Sequence, residues 1–445
     1  MERERLSSRL GFIMLSAGCA IGCGNVWKFP WMVGTNGGGA FVLVYLMCLL
    51  VLGLPALTME FALGRGSQAS IIGIYDKLEK PGQKWHIHGY FALFGNLCLM
   101  AFYTVVTGWL IYYFVMFLTG NIEKLGFANM ISNPQVNLIY LAIAVGVGFV
   151  ILTFNIQGGL ERATKYMMIL LLILMVALAV RSGFFSGAVE GYKFYLIPDF
   201  TKITPTVVAS AMNQAFFTLS VGVGSMAIFG SYIGKERSLL GESVMVIVLD
   251  LAVAIIAGLI IFPTCFSYNL EVTAGPSLLF DTMTSAFANM PSGRVWGTLF
   301  FLFMVFAAFS TELAVCENIL ACVREMTGWN RKRGSLVCGI GVFLAATTTA
   351  LGYSVIHFHP FGEDSAWLDL WDFLISNNLL PIGTIIMAVF CTNKRFGWGW
   401  DNFVLEANQG NGLKVRNCMR PIFTYVVPIL VLVIYIMGLV NFNWD

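Results

Sequence analysis

Apolar residues run along this chain in long blocks, not in the alternation of half-buried strands or the one-sided stripes of soluble helices. Blocks long enough to cross a bilayer fall near 10–33, 39–63, 89–119, 138–155, 161–183, 207–230, 242–268, 295–324, 335–352, 367–392 and 420–441. Each reaches the length that a hydrocarbon core of about 30 Å demands of a helix. The pattern predicts an all-α polytopic membrane protein with about eleven transmembrane helices, folded as one domain over 1–445. Two blocks interrupt themselves. The first contains Gly18, Gly22 and Gly24 followed by Asn25, and the sixth reads Ser220-Val221-Gly222-Val223-Gly224-Ser225. Glycine weakens a helix by about 1 kcal/mol relative to alanine, and unwound backbone at membrane depth survives only against protein or a wet cavity. Two such breaks, five spans apart, predict an inverted repeat with a binding site between discontinuous helices. The expected halves are 10–183 and 207–392, with 420–441 as an added helix.

Composition agrees: 58% of the 445 residues are apolar and 11% charged, against roughly a quarter charged in soluble domains. A water-soluble globule is excluded, and no basic footprint for nucleic acid is present. The net charge of +2 matters less than where the charges sit. With the N-terminus in the cytoplasm, about 20 of the 26 Lys and Arg lie on cytoplasmic segments, as the positive-inside rule requires. That orientation leaves Lys124, Arg181, Lys193, Lys202 and Arg294 outside, and the odd span count puts Trp444 and Asp445 outside too. A multi-pass protein of the cell membrane is expected, with the lipid bilayer as its solvent. The start does not read as a cleaved signal peptide.

Ionisable residues within apolar spans are costly and point to function. They are Lys28, Glu60, Asp250, Glu312, Glu317 and Asp372. Because no phosphate-binding glycine loop accompanies them, an ATP-driven pump is disfavoured and an ion gradient becomes the expected energy source. No metalloprotease or serine-hydrolase motif appears, so no enzyme is expected. The ten cysteines contain no Cys-x-x-Cys pair, and the pairs His86/His88 and His357/His359 read as surface histidines. No disulfide and no zinc site is expected.

The stretch Gly18 to Pro30 (GCAIGCGNVWKFP) resembles the neurotransmitter:sodium symporter family. So do Asn36 to Phe41, Glu60 to Arg65, Gln214 to Ser220 and Phe306 to Thr311. The resemblance implies the five-plus-five inverted repeat of the bacterial leucine transporter, with eleven helices where much of the family has twelve. It implies sodium symport by alternating access. A first Na+ site would use the carbonyl of Ala20 with the side chains of Asn25, Thr218 and Asp250. A second would use carbonyls of Gly18, Ile21 and Ala307 with the hydroxyls of Ser310 and Thr311. Two Na+ are therefore expected. Many relatives need chloride or a glutamate one turn beyond position 250, where this chain has Ala254; Asp250 is expected to supply that charge. Chloride is therefore not expected to be required, although Tyr45 and Gln214 keep other parts of a chloride site.

By the same resemblance the substrate carboxylate would meet the first sodium, the amides near Cys23 and Gly24, and the hydroxyl of Tyr103. Its ammonium would meet carbonyls of Ala20, Phe217 and Thr218. Monoamine carriers have Asp where this chain has Gly22, so the expected substrate brings its own carboxylate: a neutral, hydrophobic or aromatic amino acid. Leu99, Tyr103, Phe217, Ser220, Val223, Thr311 and Val315 would line the side-chain pocket. Glu312 departs from the pattern on the far side of that pocket. A lone buried carboxylate is expensive unless protonated or paired, which keeps open a carrier of cationic amino acids or amines. An uncoupled substrate sensor or channel is a further alternative. Gates are expected at Lys28 with Asp372 on the outer side, under a lid of Tyr103 and Phe217, and at Arg3 with Glu325 near Tyr232 on the inner side. The fifth span has Gly159 and Ile169 where relatives have Gly and Pro, and a hairpin from Gly275 to Met290, containing Asp281, is expected to cap the outer vestibule.

Overall fold

Backbone buried in hydrocarbon must pair internally, so the long apolar blocks fold as helices. The computed structural model describes residues 4–270, 278–363 and 365–440, leaving aside the side chain of Lys124. Among these residues nine continuous helices are long and apolar enough to cross a membrane: Gly39–Ser67, His86–Thr119, Pro134–Leu152, Gln157–Ser182, Leu239–Ser267, Gly293–Thr327, Arg331–Leu351, Trp367–Thr392 and Asn417–Val440. A bent pair, Arg9–Ala20 and Gly24–Thr35, turns by 52° and makes the tenth. The expected eleventh is present in two pieces, Pro205–Leu219 and Ala227–Gly230, with 220–226 unwound between them. Neither piece crosses alone, so the helices by themselves give ten spans. We number the spans in chain order, counting both interrupted ones.

Local chemistry sets several boundaries. Asn133 caps the fourth span by accepting from Gln135 and Val136 N–H, with Pro134 in the first turn, where its missing N–H costs nothing. Thr204 and Pro205 do the same for the sixth. Ser8 caps the first by accepting from Gly11 N at 3.0 Å. Within 220–226 the backbone takes positive φ at Ser220 (50°), Gly222 (108°) and Gly224 (73°), a region that glycine enters freely and other residues rarely.

The eighth span, Gly293–Thr327, is the hub. Some 78% of its most apolar stretch is buried, against 22% for the last span, and it packs on the first, third and fifth spans. The described part of the expected hairpin is helical, Leu278–Met283 and Thr284–Asn289, and Asp281 accepts from Phe127 N at 3.3 Å. Its beginning at Gly275 lies outside the described residues.

Candidate cation and substrate sites

The two broken spans meet at their breaks, and each break is held open by a carboxylate or amide from a neighbour. Glu60, fully buried in the second span, accepts from Gly222 N (2.8 Å), Gly224 N (3.0 Å) and Met226 N (3.1 Å). Asn96 of the third span donates to the Val223 carbonyl at 2.9 Å and accepts from Ser225 Oγ at 2.8 Å. These bonds replace the ones the helix would have made, so the unwound stretch leaves few buried groups unpaired. Glu60 is noticed in the sequence as a buried ion without a role. The signal that assigns one is a lone carboxylate on one span and a Gly-x-Gly break on another.

Beside this break lies a cluster of oxygen donors. Thr218 Oγ1 is 3.2 Å from Asn25 Oδ1 and 3.3 Å from both carboxylate oxygens of Asp250. Asn25 Nδ2 donates to Asp250 Oδ1 at 2.8 Å and to its carbonyl at 3.1 Å, while Asn25 Oδ1 accepts from Gly22 N at 3.3 Å. All three side chains are buried. The donors are hard oxygens with one formal charge, the set a small hard monovalent cation prefers, and no sulfur or imidazole is among them. Gln214 donates to the Gly24 carbonyl at 2.8 Å, and Tyr45 lies beside Thr218 and Asp250.

A second set sits on the other side of the first span. Thr311 Oγ1 reaches the carbonyls of Gly18 (3.2 Å), Ile21 (3.4 Å) and Ala307 (3.5 Å). Ser310 Oγ reaches those of Ala307 (3.0 Å) and Ile21 (3.5 Å). A Ser-Thr pair commonly bonds back to its own helix; here it also bridges to the end of Arg9–Ala20, where the break frees the Ile21 carbonyl. The five residues expected at the second site are thus brought together.

Between the two sets is a cavity lined by Cys19, Ala20, Gly22, Gly24, Leu99, Tyr103, Phe217, Ser220, Thr311, Ile375 and Leu380. Its room is about 20 Å³, little more than a water needs, so its walls lie almost in contact. Tyr103 accepts from Cys23 N at 3.1 Å. Next to it a chamber of about 160 Å³ is lined by Cys23, Trp27, Lys28, Trp31, Tyr103, Phe217, Asp372 and others. Phe217 and Tyr103 line both spaces and stand between them. Thr218 belongs to the oxygen cluster with Asn25 and Asp250, and Cys23 to the outer chamber.

Three expected pocket residues are placed elsewhere. Val223 is buried behind the cavity wall, where its Cγ1 faces Gly95; Val315 is fully buried but does not line the cavity. Glu312 points toward Gly148 of the fourth span, with Thr107 as its polar neighbour. One residue beyond Thr311 on a helix is turned by about 100°, which carries Glu312 past the cavity to the back of the eighth span. The tenth-span residues Ile375 and Leu380 take part in the lining instead, and sequence reasoning did not name them.

The expected gate residues Lys28 and Asp372 face the same chamber but are not paired with each other. Lys28 Nζ stands 3.8 Å over the ring of Phe217, and Asp372 accepts from Ser376 Oγ at 2.6 Å. At the opposite end, Arg3 lies outside the described residues. Glu325 accepts from Ser70 N at 2.8 Å, and Tyr232 donates to Glu317 at 2.9 Å. Glu317 is paired with Arg331, which also donates to the Leu152 carbonyl at 2.7 Å. Glu4 joins this group, 3.4 Å from Arg324 and 3.7 Å from Arg331, and accepts from Ile156 N at 2.8 Å. Ser7 N (2.8 Å) and Ser7 Oγ (2.6 Å) both donate to Glu161. The segment before the first span is therefore tied to the start of the fifth, where the helix opens into a wide turn over Gln157–Glu161.

Comparison with known proteins bears on the chain as a whole. The chain matches the model of the Sodium:neurotransmitter symporter family over residues 3–130 and 123–444. A sodium-dependent transporter of Bacillus subtilis is 34% identical to it over 86% of each chain. A sodium-dependent transporter of Haemophilus influenzae is 31% identical over 98% of each. The crystal structure of MhsT in complex with L-phenylalanine superposes with a TM-score of 0.89 at 32% identity, covering 98% of this chain and 100% of that one.

Proposed function

This chain belongs to the sodium:neurotransmitter symporter family, and from that premise we propose that it imports a neutral amino acid with an apolar or aromatic side chain, coupled to two Na+. It is a sodium-dependent transporter of the leucine-transporter fold and not an enzyme. The observation that carries the finer reading is the contiguity of the buried Asn25–Thr218–Asp250 cluster with a mainly apolar cavity. A substrate carboxylate placed at the Na+ and under the Tyr103 hydroxyl would leave its side chain against Leu99 and Phe217. The L-phenylalanine in MhsT supports that class of ligand.

Coupling follows from position. The first cation would bridge the broken first and sixth spans to the seventh, and the second would bridge the first to the eighth. Bound ions and substrate thus favour the arrangement in which the outer chamber closes, and ion release on the cytoplasmic side favours its reopening. A Lys28–Asp372 pair formed on closure at the edge of the outer chamber would add only about 1 kcal/mol, so site occupancy sets the balance. Two Na+ moving with a zwitterion gain about 4.6 kcal/mol per 100 mV, about three powers of ten in concentration. In this reading the N-terminus lies in the cytoplasm, as the distribution of Lys and Arg supports, and Asp250 takes the part that chloride plays in many relatives. Because Glu312 faces away from the cavity, neutral substrates are favoured over cationic ones.

The test is binding of radiolabelled amino acids and amines to the purified protein in sodium and in potassium. Sodium-dependent binding of neutral amino acids that weakens in Thr311→Ala is the expected result. Binding indifferent to sodium, or confined to amines and cationic amino acids, would overturn it.

A further inference from the structure

One wall of the cavity comes from neither broken span. Ile375, fully buried, and Leu380 reach it from the tenth span, and the backbone there is not α-helical. From Phe373 to Leu379 the helix takes the wide π form, with Leu380 N–H donating to the Ile375 carbonyl five residues back. Pro381 is a local cause: it offers no N–H, so the carbonyl one turn earlier has no α-helical partner. A π turn holds an extra residue and so re-aims the side chains within it, which is why such turns recur at binding sites.

Two glycines press the tenth span against the unwound stretch of the sixth. A Cβ on Gly222 would lie 2.2 Å from the Leu380 carbonyl oxygen, and one on Gly383 would lie 1.9 Å from that of Gly222. Backbone meets backbone there, so the π turn cannot retreat from the cavity as a flexible side chain could. On the third span the facing residue is Gly95, whose added Cβ would stand 3.2 Å from Ile375 Cδ1 and 3.0 Å from Val223 Cγ1. The third span is thus bare where Ile375 enters.

We infer that Ile375, set by this π turn and accommodated by Gly95, limits the size of the substrate side chain. The inference rests on the reading of the cavity as the amino-acid site. With room of about 20 Å³, any side chain enters by displacing a wall, and the wall fixed by backbone contact sets the limit. One methylene in an apolar pocket discriminates between substrates by roughly 10- to 200-fold.

The experiment measures displacement of a radiolabelled neutral amino acid by unlabelled L-tryptophan and L-leucine, on the full-length protein in saturating sodium. Ile375→Ala should raise the tryptophan-to-leucine affinity ratio at least tenfold, and Ile375→Phe should lower it comparably. Gly95→Ala should act in the same direction as Ile375→Phe. Ile375→Val, the mildest change, should raise the ratio about threefold and carries the test if the larger changes prevent folding. The sodium half-saturation should stay within twofold, because Ile375 touches neither cation cluster. A ratio unchanged within twofold in Ile375→Ala and unchanged in Ile375→Val overturns the inference alone. Wild-type protein that binds no amino acid overturns the functional reading, and this inference with it.

Discussion

Glu60→Gln tests whether the sixth span is held open by one carboxylate. Oε1 accepts from Gly222 N at 2.8 Å and Gly224 N at 3.0 Å, and Oε2 from Met226 N at 3.1 Å. Glutamine has nearly the same shape but one oxygen. If that oxygen serves the two glycines, the amide NH2 faces the Met226 N–H, donor against donor. An unsatisfied buried donor costs about 1–3 kcal/mol, and the two surviving bonds fall from about 1.5–3 to about 0.5–1.5 kcal/mol each on losing the charge. The sum is about 3–6 kcal/mol. Cheaper burial of a neutral side chain offsets part of it, leaving about 2–4 kcal/mol against the unwound geometry. Because Ser220 and the neighbouring Asn25–Thr218–Asp250 cluster, the proposed cation site, depend on that geometry, sodium-dependent substrate binding should weaken by at least tenfold, with a lower unfolding temperature in detergent. Glu60→Asp keeps the charge but shortens the reach by a methylene, and should fall between the two. Scintillation-proximity binding alongside a fluorescence melt reads both quantities. A Glu60→Gln protein that binds within twofold of wild type and melts at the same temperature would refute the reasoning.

Two further outcomes follow from the same geometry. Asp250→Asn removes the one formal charge from the Asn25–Thr218–Asp250 cluster. An opposite charge at about 4 Å is worth about 4 kcal/mol at an effective dielectric of 20, part of it offset by desolvation, so half-saturating sodium should rise at least tenfold in a titration at constant ionic strength; an unchanged value would show that the cation binds elsewhere. Arg331→Met leaves buried Glu317 with Tyr232 as its remaining partner described here, which should cost about 3–5 kcal/mol of stability. Pairing it with Glu317→Gln should recover at least 1 kcal/mol in a double-mutant cycle of thermal or denaturant unfolding, and simple additivity would mean that the pair is not coupled.

The linear pattern by itself determined the helical membrane fold and the two breaks. Those features are written in local chemistry: spans by the length of apolar blocks, and breaks by Gly18, Gly22 and Gly24 and by Gly222 and Gly224. Motif resemblance then brought distant residues such as Asn25 and Asp250 together, and they lie within hydrogen-bond reach. What it could not determine was direction. Glu312 follows Thr311 in sequence, yet one step around the helix turns it from the cavity toward Gly148. Ile375 and Leu380 look like any apolar residues of a span, and only the π turn and the backbone contacts through Gly222 and Gly383 carry them to the cavity. Likewise the pairing of Glu317 with Arg331, and the position of Lys28 over Phe217 rather than on Asp372, depend on how whole helices are rotated and spaced. Apolar pattern fixes which segments enter the bilayer, because transfer from water depends on composition alone. Which face of each helix meets which neighbour is settled by close packing of all the spans at once, and that is a property of the tertiary structure.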